Sequence, residues 1–296
     1  MQFPVSGVEA NPLLVFFAAF VVSAMCAPAG VSGAFLLLPF QVSVLGFSGP
    51  AVSPTNLIYN IFAAPGGIIR YLREGRVVWV LAAIVVGGSL PGVLVGALLR
   101  ITIFAEPDAF KTFAGLVLLY LGGRLLLEVI REIRSGADEQ PYASPNPAGR
   151  SVGAVKTSTR RIEYDFAGTT YAFAPAPVLL LAFGVGVIGG VYSIGGGAII
   201  APFLITVFGL PVRTVAGAAM IGTLVTSVAG VGFYEFLGFV GPEAVSPDWL
   251  LGATLGVGGL AGTYAGARVQ NHLPERWIKL VLGVLVTSLA VSYVAG

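Results

Sequence analysis

Tyr192-Ser193-Ile194-Gly195-Gly196-Gly197 stands in the middle of an apolar stretch, residues 176–209, and its reading decides the architecture of this 296-residue chain. At about 1.5 Å of rise per residue the stretch is far longer than a ~30 Å hydrocarbon core requires. The glycine cluster divides it into two arms, each expected to fall short of the ~17 residues of a minimal crossing. Residues 13–47 repeat the arrangement around Pro28-Ala29-Gly30-Val31-Ser32-Gly33. Two short arms around a breaker describe a re-entrant or broken helical hairpin. Such backbone survives at membrane depth only when protein or water surrounds it.

The composition places this reading in a membrane. Hydrophobic residues make up 56% of the chain and charged residues 10%, against about 25% charged in a soluble domain. Mean hydropathy is +0.91. A chain of this length lacks the interior to hide so much apolar surface from water. Soluble enzymes, disordered chains and nucleic-acid binders are therefore poor readings, and the lipid bilayer is the expected surrounding. One cysteine, Cys26, excludes an internal disulfide, and one histidine, His272, excludes a His-based metal site or relay. No metal or cofactor is expected. The start carries Glu9 before any Lys or Arg, so a cleavable signal is not expected there.

Six further stretches are long enough to cross: 50–69, 77–99, 110–130, 212–238, 248–267 and 277–295. The halves of the chain repeat. Pro39-Phe40 and Gly46 match Pro202-Phe203 and Gly209 at one constant offset. Trp79 matches Trp249, and Gly88, Gly92 and Gly96 match Gly258, Gly262 and Gly266. The glycine triplets have the spacing that lets helix backbones approach, so they are read as packing residues.

Lys and Arg favour the cytoplasmic side and discriminate between topologies. With both broken segments re-entrant and the N-terminus outside, only Arg100 and Lys111 of the 16 Lys and Arg fall outside. With both segments crossing fully and the N-terminus inside, 10 fall inside and 6 outside, which follows the rule less well. The expected fold is an all-α polytopic membrane protein of two inverted repeats. Each has one broken or re-entrant hairpin plus three transmembrane helices. Residues 1–130 form the first repeat and 176–296 the second, joined by a cytoplasmic connector at 131–175. Alternation at Ile162, Tyr164 and Phe166, then Tyr171 and Phe173, predicts a short β-hairpin in the connector.

Inverted repeats with interrupted helices are the arrangement of secondary transporters, with substrate held where the repeats meet. Each breaker precedes a new helix near Gly33 or Gly196, and a helix N-terminus suits an anion. The candidate substrate-binding residues are Ser32, Gly33, Thr55, Asn56, Tyr192, Ser193, Gly195, Gly196, Gly197, Thr223 and Ser227. Asn60 and Thr226 are further polar residues within the spans. Acidic residues inside spans are scarce. Glu128 and Glu235 lie near span ends, so no coupling ion is legible. The absence of GxxxxGK[ST] gives ATP-driven transport no support. A membrane enzyme would need a His, Asp or Glu cluster, or a Ser beside a base, and neither is visible; the chain is read as no enzyme.

The stretches Gly30-Val31-Ser32-Gly33-Ala34-Phe35-Leu36-Leu37-Leu38-Pro39 and Ser193-Ile194-Gly195-Gly196-Gly197-Ala198-Ile199-Ile200-Ala201-Pro202 resemble those of the TauE/SafE (DUF81) sulfite or sulfonate exporter permeases. The resemblance covers nearly the whole chain. It implies a multi-pass inner (plasma) membrane permease for small sulfur-containing anions such as sulfite, sulfoacetate, other sulfonates or thiosulfate. A homodimer is compatible with it. The competing readings are a carrier of another small organic anion and a non-transporting membrane assembly factor.

Overall fold

The structure is a computed structural model that describes residues 2–27, 32–135, 151–240, 245–269 and 275–295. Residues 28–31 of the first breaker, the prolines of the connector, Glu243 and His272 lie outside these residues. The first half contains α1 (Pro12–Cys26), α2 (Ala34–Ser43), α3 (Val52–Arg73), α4 (Trp79–Thr102) and α5 (Pro107–Ser135). After strands β1 (Val152–Thr157), β2 (Ile162–Phe166) and β3 (Thr169–Phe173), the second half repeats the order. Its helices are α6 (Pro175–Tyr192), α7 (Gly196–Thr206), α8 (Val212–Val240), α9 (Trp249–Val269) and α10 (Glu275–Ala295). The fold is all-α and polytopic, with a small sheet inserted between the halves.

Local chemistry sets the helix starts. Asn11 accepts from the Leu13 amide in front of Pro12, and Asp248 Oδ1 accepts from the Leu251 amide at 3.0 Å at the start of α9. Among the described residues, α4, α5, α6, α8 and α10 are long and apolar enough to cross a membrane. Four of them coincide with expected spans. The other two expected spans, 50–69 and 248–267, are the 22-residue α3 and the 21-residue α9. Asn, Pro and Gly dilute their apolar character. One expectation is corrected: the arm before the second breaker is not short, because α6 runs for 18 residues. Its glycines do not end it, since α4 covers them; a Cβ on Gly186 or Gly190 would strike the backbone of Ser89 or Val93.

The two halves interlock rather than lie side by side. A Cβ on Gly88, Gly92 or Gly96 of α4 would meet the carbonyls of Leu179, Phe183 and Val187 on α6. A Cβ on Gly258, Gly262 or Gly266 of α9 would meet those of Phe16, Phe20 and Ala24 on α1. Each half thus inserts its first helix against the glycine face of the other. Small residues bring backbones into contact, and dispersion there replaces a hydrophobic drive that lipid cannot supply. Rising numbers pair with rising numbers in both contacts, so α1 runs parallel to α9 and α6 to α4. Leu57 meets Gly230 while Tyr71 meets Gly217, so α3 and α8 run in opposite directions.

The connector forms a three-stranded antiparallel sheet, one strand more than the expected hairpin. Ala167 and Gly168, with φ of 55° and 80°, make the two-residue turn between Phe166 and Thr169. Positive φ at both positions matches the twist of the flanking strands. The extra strand, β1, follows the Val152 amide, which donates to Gly75 O at 2.9 Å. The Tyr164 hydroxyl and Thr214 Oγ1, 2.9 Å apart, tie the sheet to α8, and burial pushes the Tyr164 phenol up to about 12.

Candidate functional site

The two breakers meet at Asn56 in the second turn of α3. Its Nδ2 donates to Ala34 O at 3.1 Å at the start of α2 and to Ser193 O at 3.0 Å at the end of α6. Its Oδ1 accepts from Gln41 Nε2 at 3.1 Å. One turn along, Asn60 Nδ2 donates to Ile194 O at 3.0 Å. Tyr192 completes the junction, its hydroxyl donating to Phe35 O at 2.8 Å. All three side chains are buried. A helix leaves its last carbonyls without partners, and Asn56 and Asn60 supply donors just beyond α6. Phe35 O is freed because Pro39, four residues on, has no amide hydrogen, and the Tyr192 phenol supplies its donor. Asn60 and Gln41 were not among the candidate residues; their signal is an amide side chain buried within an apolar helix.

The second breaker carries unusual backbone. Ser193 holds φ 65° and Gly195 φ 82°. Left-handed backbone costs an L residue roughly 1–2 kcal/mol, and such strain concentrates at functional sites. The Ser193 hydroxyl is wholly buried and has no hydrogen-bond partner among the described residues. The Ser227 hydroxyl on α8 is in the same condition. A Cβ placed on Gly195 would lie 3.2 Å from Ser227 Oγ and 2.9 Å from Thr223 Cγ2, so α8 faces the breaker at these residues. Thr223 itself donates to Ala219 O at 3.1 Å. Thr226, one turn from Thr223, accepts the Gly196 amide at 3.1 Å and so caps α7. Gly196 is pressed against Ser89 of α4 and Gly197 against Ala219 of α8. These glycines have packing reasons of their own.

The remaining candidates have other attachments. Ser32 Oγ accepts from the Ala34 amide at 3.3 Å, and Gly33 lies under Tyr59 and Ser23. Thr55 stands one residue from Asn56 but faces α9: its hydroxyl donates to Ala51 O and accepts from the Asp248 amide at 2.9 Å. The tertiary structure therefore gathers Asn56, Tyr192, Ser193, Gly195, Gly196, Gly197, Thr223 and Ser227, with Gly33 close by, and turns Thr55 away. Glu235 accepts from Trp249 Nε1 at 2.6 Å, and Glu128 pairs with Arg124 at 2.7 Å. Among the described residues no group of three or more His, Cys, Asp or Glu could hold a metal.

Interlocked apolar helices around a buried junction of two helix breaks define an all-α polytopic membrane protein. The chain belongs to the sulfite exporter TauE/SafE family, whose model matches residues 15–293. It is similar to a probable membrane transporter protein, YunE, of Bacillus subtilis (strain 168), at 21% identity over 234 residues. The match covers 78% of this chain and 76% of that protein. No solved structure gives a significant match.

Proposed function

We propose that the chain is a secondary transporter of small sulfur-containing anions, such as sulfite, sulfoacetate, other sulfonates or thiosulfate. It would work in the inner (plasma) membrane without enzymatic activity. The observation that carries the reading is the pair of buried hydroxyls, Ser193 and Ser227, left without partners where α7 begins. A buried donor without an acceptor costs about 1–3 kcal/mol. An oxyanion would accept from both and would sit at the positive end of a helix. Thr223 and the backbone of Gly195-Gly196-Gly197 would line the seat, with Asn56 and Tyr192 framing it and Ser32-Gly33 closing the far side. The opposed directions of α3 and α8 support two inverted repeats, with the hairpins α1–α2 and α6–α7 entering from opposite faces.

Purified protein in liposomes tests this. Sulfite or a sulfonate should enter or leave without ATP, and Ser193→Ala or Ser227→Ala should lower apparent affinity by roughly ten- to a hundredfold, at about 1.4 kcal/mol per decade. Flux equal to that of empty liposomes for sulfur anions, with flux of a small carboxylate, would favour a carrier of other organic anions. No flux for any anion would favour an assembly factor. A reporter fused after Gly296 should lie outside the cytoplasm.

A further inference from the structure

Arg100, in the last turn of α4, is wholly buried and forms no ion pair among the described residues. Its Nε donates to Ser53 Oγ at 3.0 Å, its Nη1 to Phe104 O, and its Nη2 to Gly49 O at 3.2 Å. The guanidinium lies 3.8 Å from the centre of the Phe110 ring. Every acceptor is neutral. A buried cation is ordinarily paired, because hydrogen bonds to neutral groups do not cancel its charge. The partial negative charge of a helix C-terminus offsets only part of it.

A second orphan lies beside it. Tyr234 of α8 is fully buried beside Arg100 and Ser53, and its hydroxyl makes no hydrogen bond of good geometry among the described residues. Tyr234 packs in one apolar cluster with Ala97, one turn before Arg100, and Leu57, one turn after Ser53. Ser53 Oγ in turn donates to Val191 O at 3.4 Å, immediately before Tyr192-Ser193. The cluster therefore adjoins the second breaker and reaches toward the end of the molecule where α3 begins and α4 finishes.

We propose that Arg100 and Tyr234 form a second oxyanion site, a staging position between that end of the molecule and the seat at Ser193 and Ser227. The proposal rests on the transport reading in taking the ligand to be the transported anion. The anion supplies the missing countercharge to the guanidinium and accepts from the Tyr234 hydroxyl. Because both residues are buried, the ligand reaches them only when the loops that Arg100 clasps, around Ser48-Gly49 and Phe104, part. A free anion and a lipid headgroup phosphate share this chemistry.

Tyr234→Phe is the decisive variant, since it deletes a hydroxyl whose polar neighbour Ser53 stands outside good hydrogen-bond geometry. Delipidated protein in a phosphate-free maltoside detergent is titrated with sulfite, sulfate and, separately, phosphatidylglycerol, following the thermal unfolding midpoint. Tyr234→Phe should unfold at the parent's midpoint without anion, yet need about tenfold more sulfite or sulfate for half the stabilisation. In a Ser193→Ala background, where the seat no longer contributes, Arg100→Gln should abolish the remaining anion response if it folds. A Tyr234-dependent response to phosphatidylglycerol alone would keep the oxyanion site and assign it a headgroup. Glu243→Gln should leave the response unchanged; tighter anion binding in that variant would make Glu243 the countercharge and overturn the proposal. Parent-like responses in Tyr234→Phe, with parent flux intact, would overturn the site alone. Tyr234-dependent stabilisation without any flux would leave the site standing and remove the transport reading.

Discussion

The two breakers occupy matching places in the repeat and use the same residue types differently. In the first, Ser32 accepts the Ala34 amide and so caps its own helix, and Gly33 has an ordinary φ of −60°. In the second, Ser193 is bent into a left-handed conformation, and its hydroxyl is left over because Thr226 of α8 has taken the capping role. The glycine-lined helix contacts, by contrast, are the same in both halves. Packing obeys the repeat and the site departs from it. A duplicated scaffold can thus carry two helix breaks that differ in backbone and capping.

The largest effects should come from the shared packing. Gly92→Leu and Gly262→Leu each drive a side chain into a backbone carbonyl, of Phe183 or Phe20, and overpacking of this kind costs at least about 1–3 kcal/mol. Both should collapse the yield of folded protein equally, by size-exclusion profile. A tolerant variant on one side only would break the equivalence of the halves. Next comes Asn56→Ala, which leaves the Ala34 and Ser193 carbonyls without this donor. At about 1–3 kcal/mol for each abandoned buried group, it should lower the unfolding midpoint sharply and abolish flux.

Paired serine variants sharpen the comparison itself. Ser193→Gly removes the left-handed strain along with the hydroxyl, so stability should rise by about 1 kcal/mol while anion affinity falls at least tenfold. Ser32→Ala should do the reverse, losing about 0.5–2 kcal/mol of capping with a smaller change in affinity. Equal affinity losses in both would mean that the breakers act alike. The smallest effect concerns the connector. Tyr164→Phe should cost about 1 kcal/mol through the lost bond to Thr214. In the parent, the raised Tyr164 pKa contributes stability in full below pH 10, lost as pH climbs toward 12. Thermal melts across that range should converge for parent and Tyr164→Phe.

Much was legible along the chain because its cause is local. Apolar run length marks helices in a membrane, and glycine spacing marks the faces that touch. Pro-Gly and Gly-Gly-Gly clusters mark where helices stop. The TauE/SafE resemblance was readable for the same reason, since it resides in contiguous residues. Which helix each glycine face meets was not, because α4 packs on α6 and α9 on α1 across the two halves. Nor could the sequence tell Thr55 from Asn56, adjacent polar residues on one helix that a single step of about 100° turns to different neighbours. It made the arm before the second breaker short, whereas α6 runs for 18 residues with its glycines packed on α4. That the Ser193 and Ser227 hydroxyls lack partners, and that Arg100 lacks an ion pair, among the described residues are properties of three-dimensional surroundings alone. A hydrogen bond or a countercharge needs a partner in space, and only the tertiary fold decides which groups receive one.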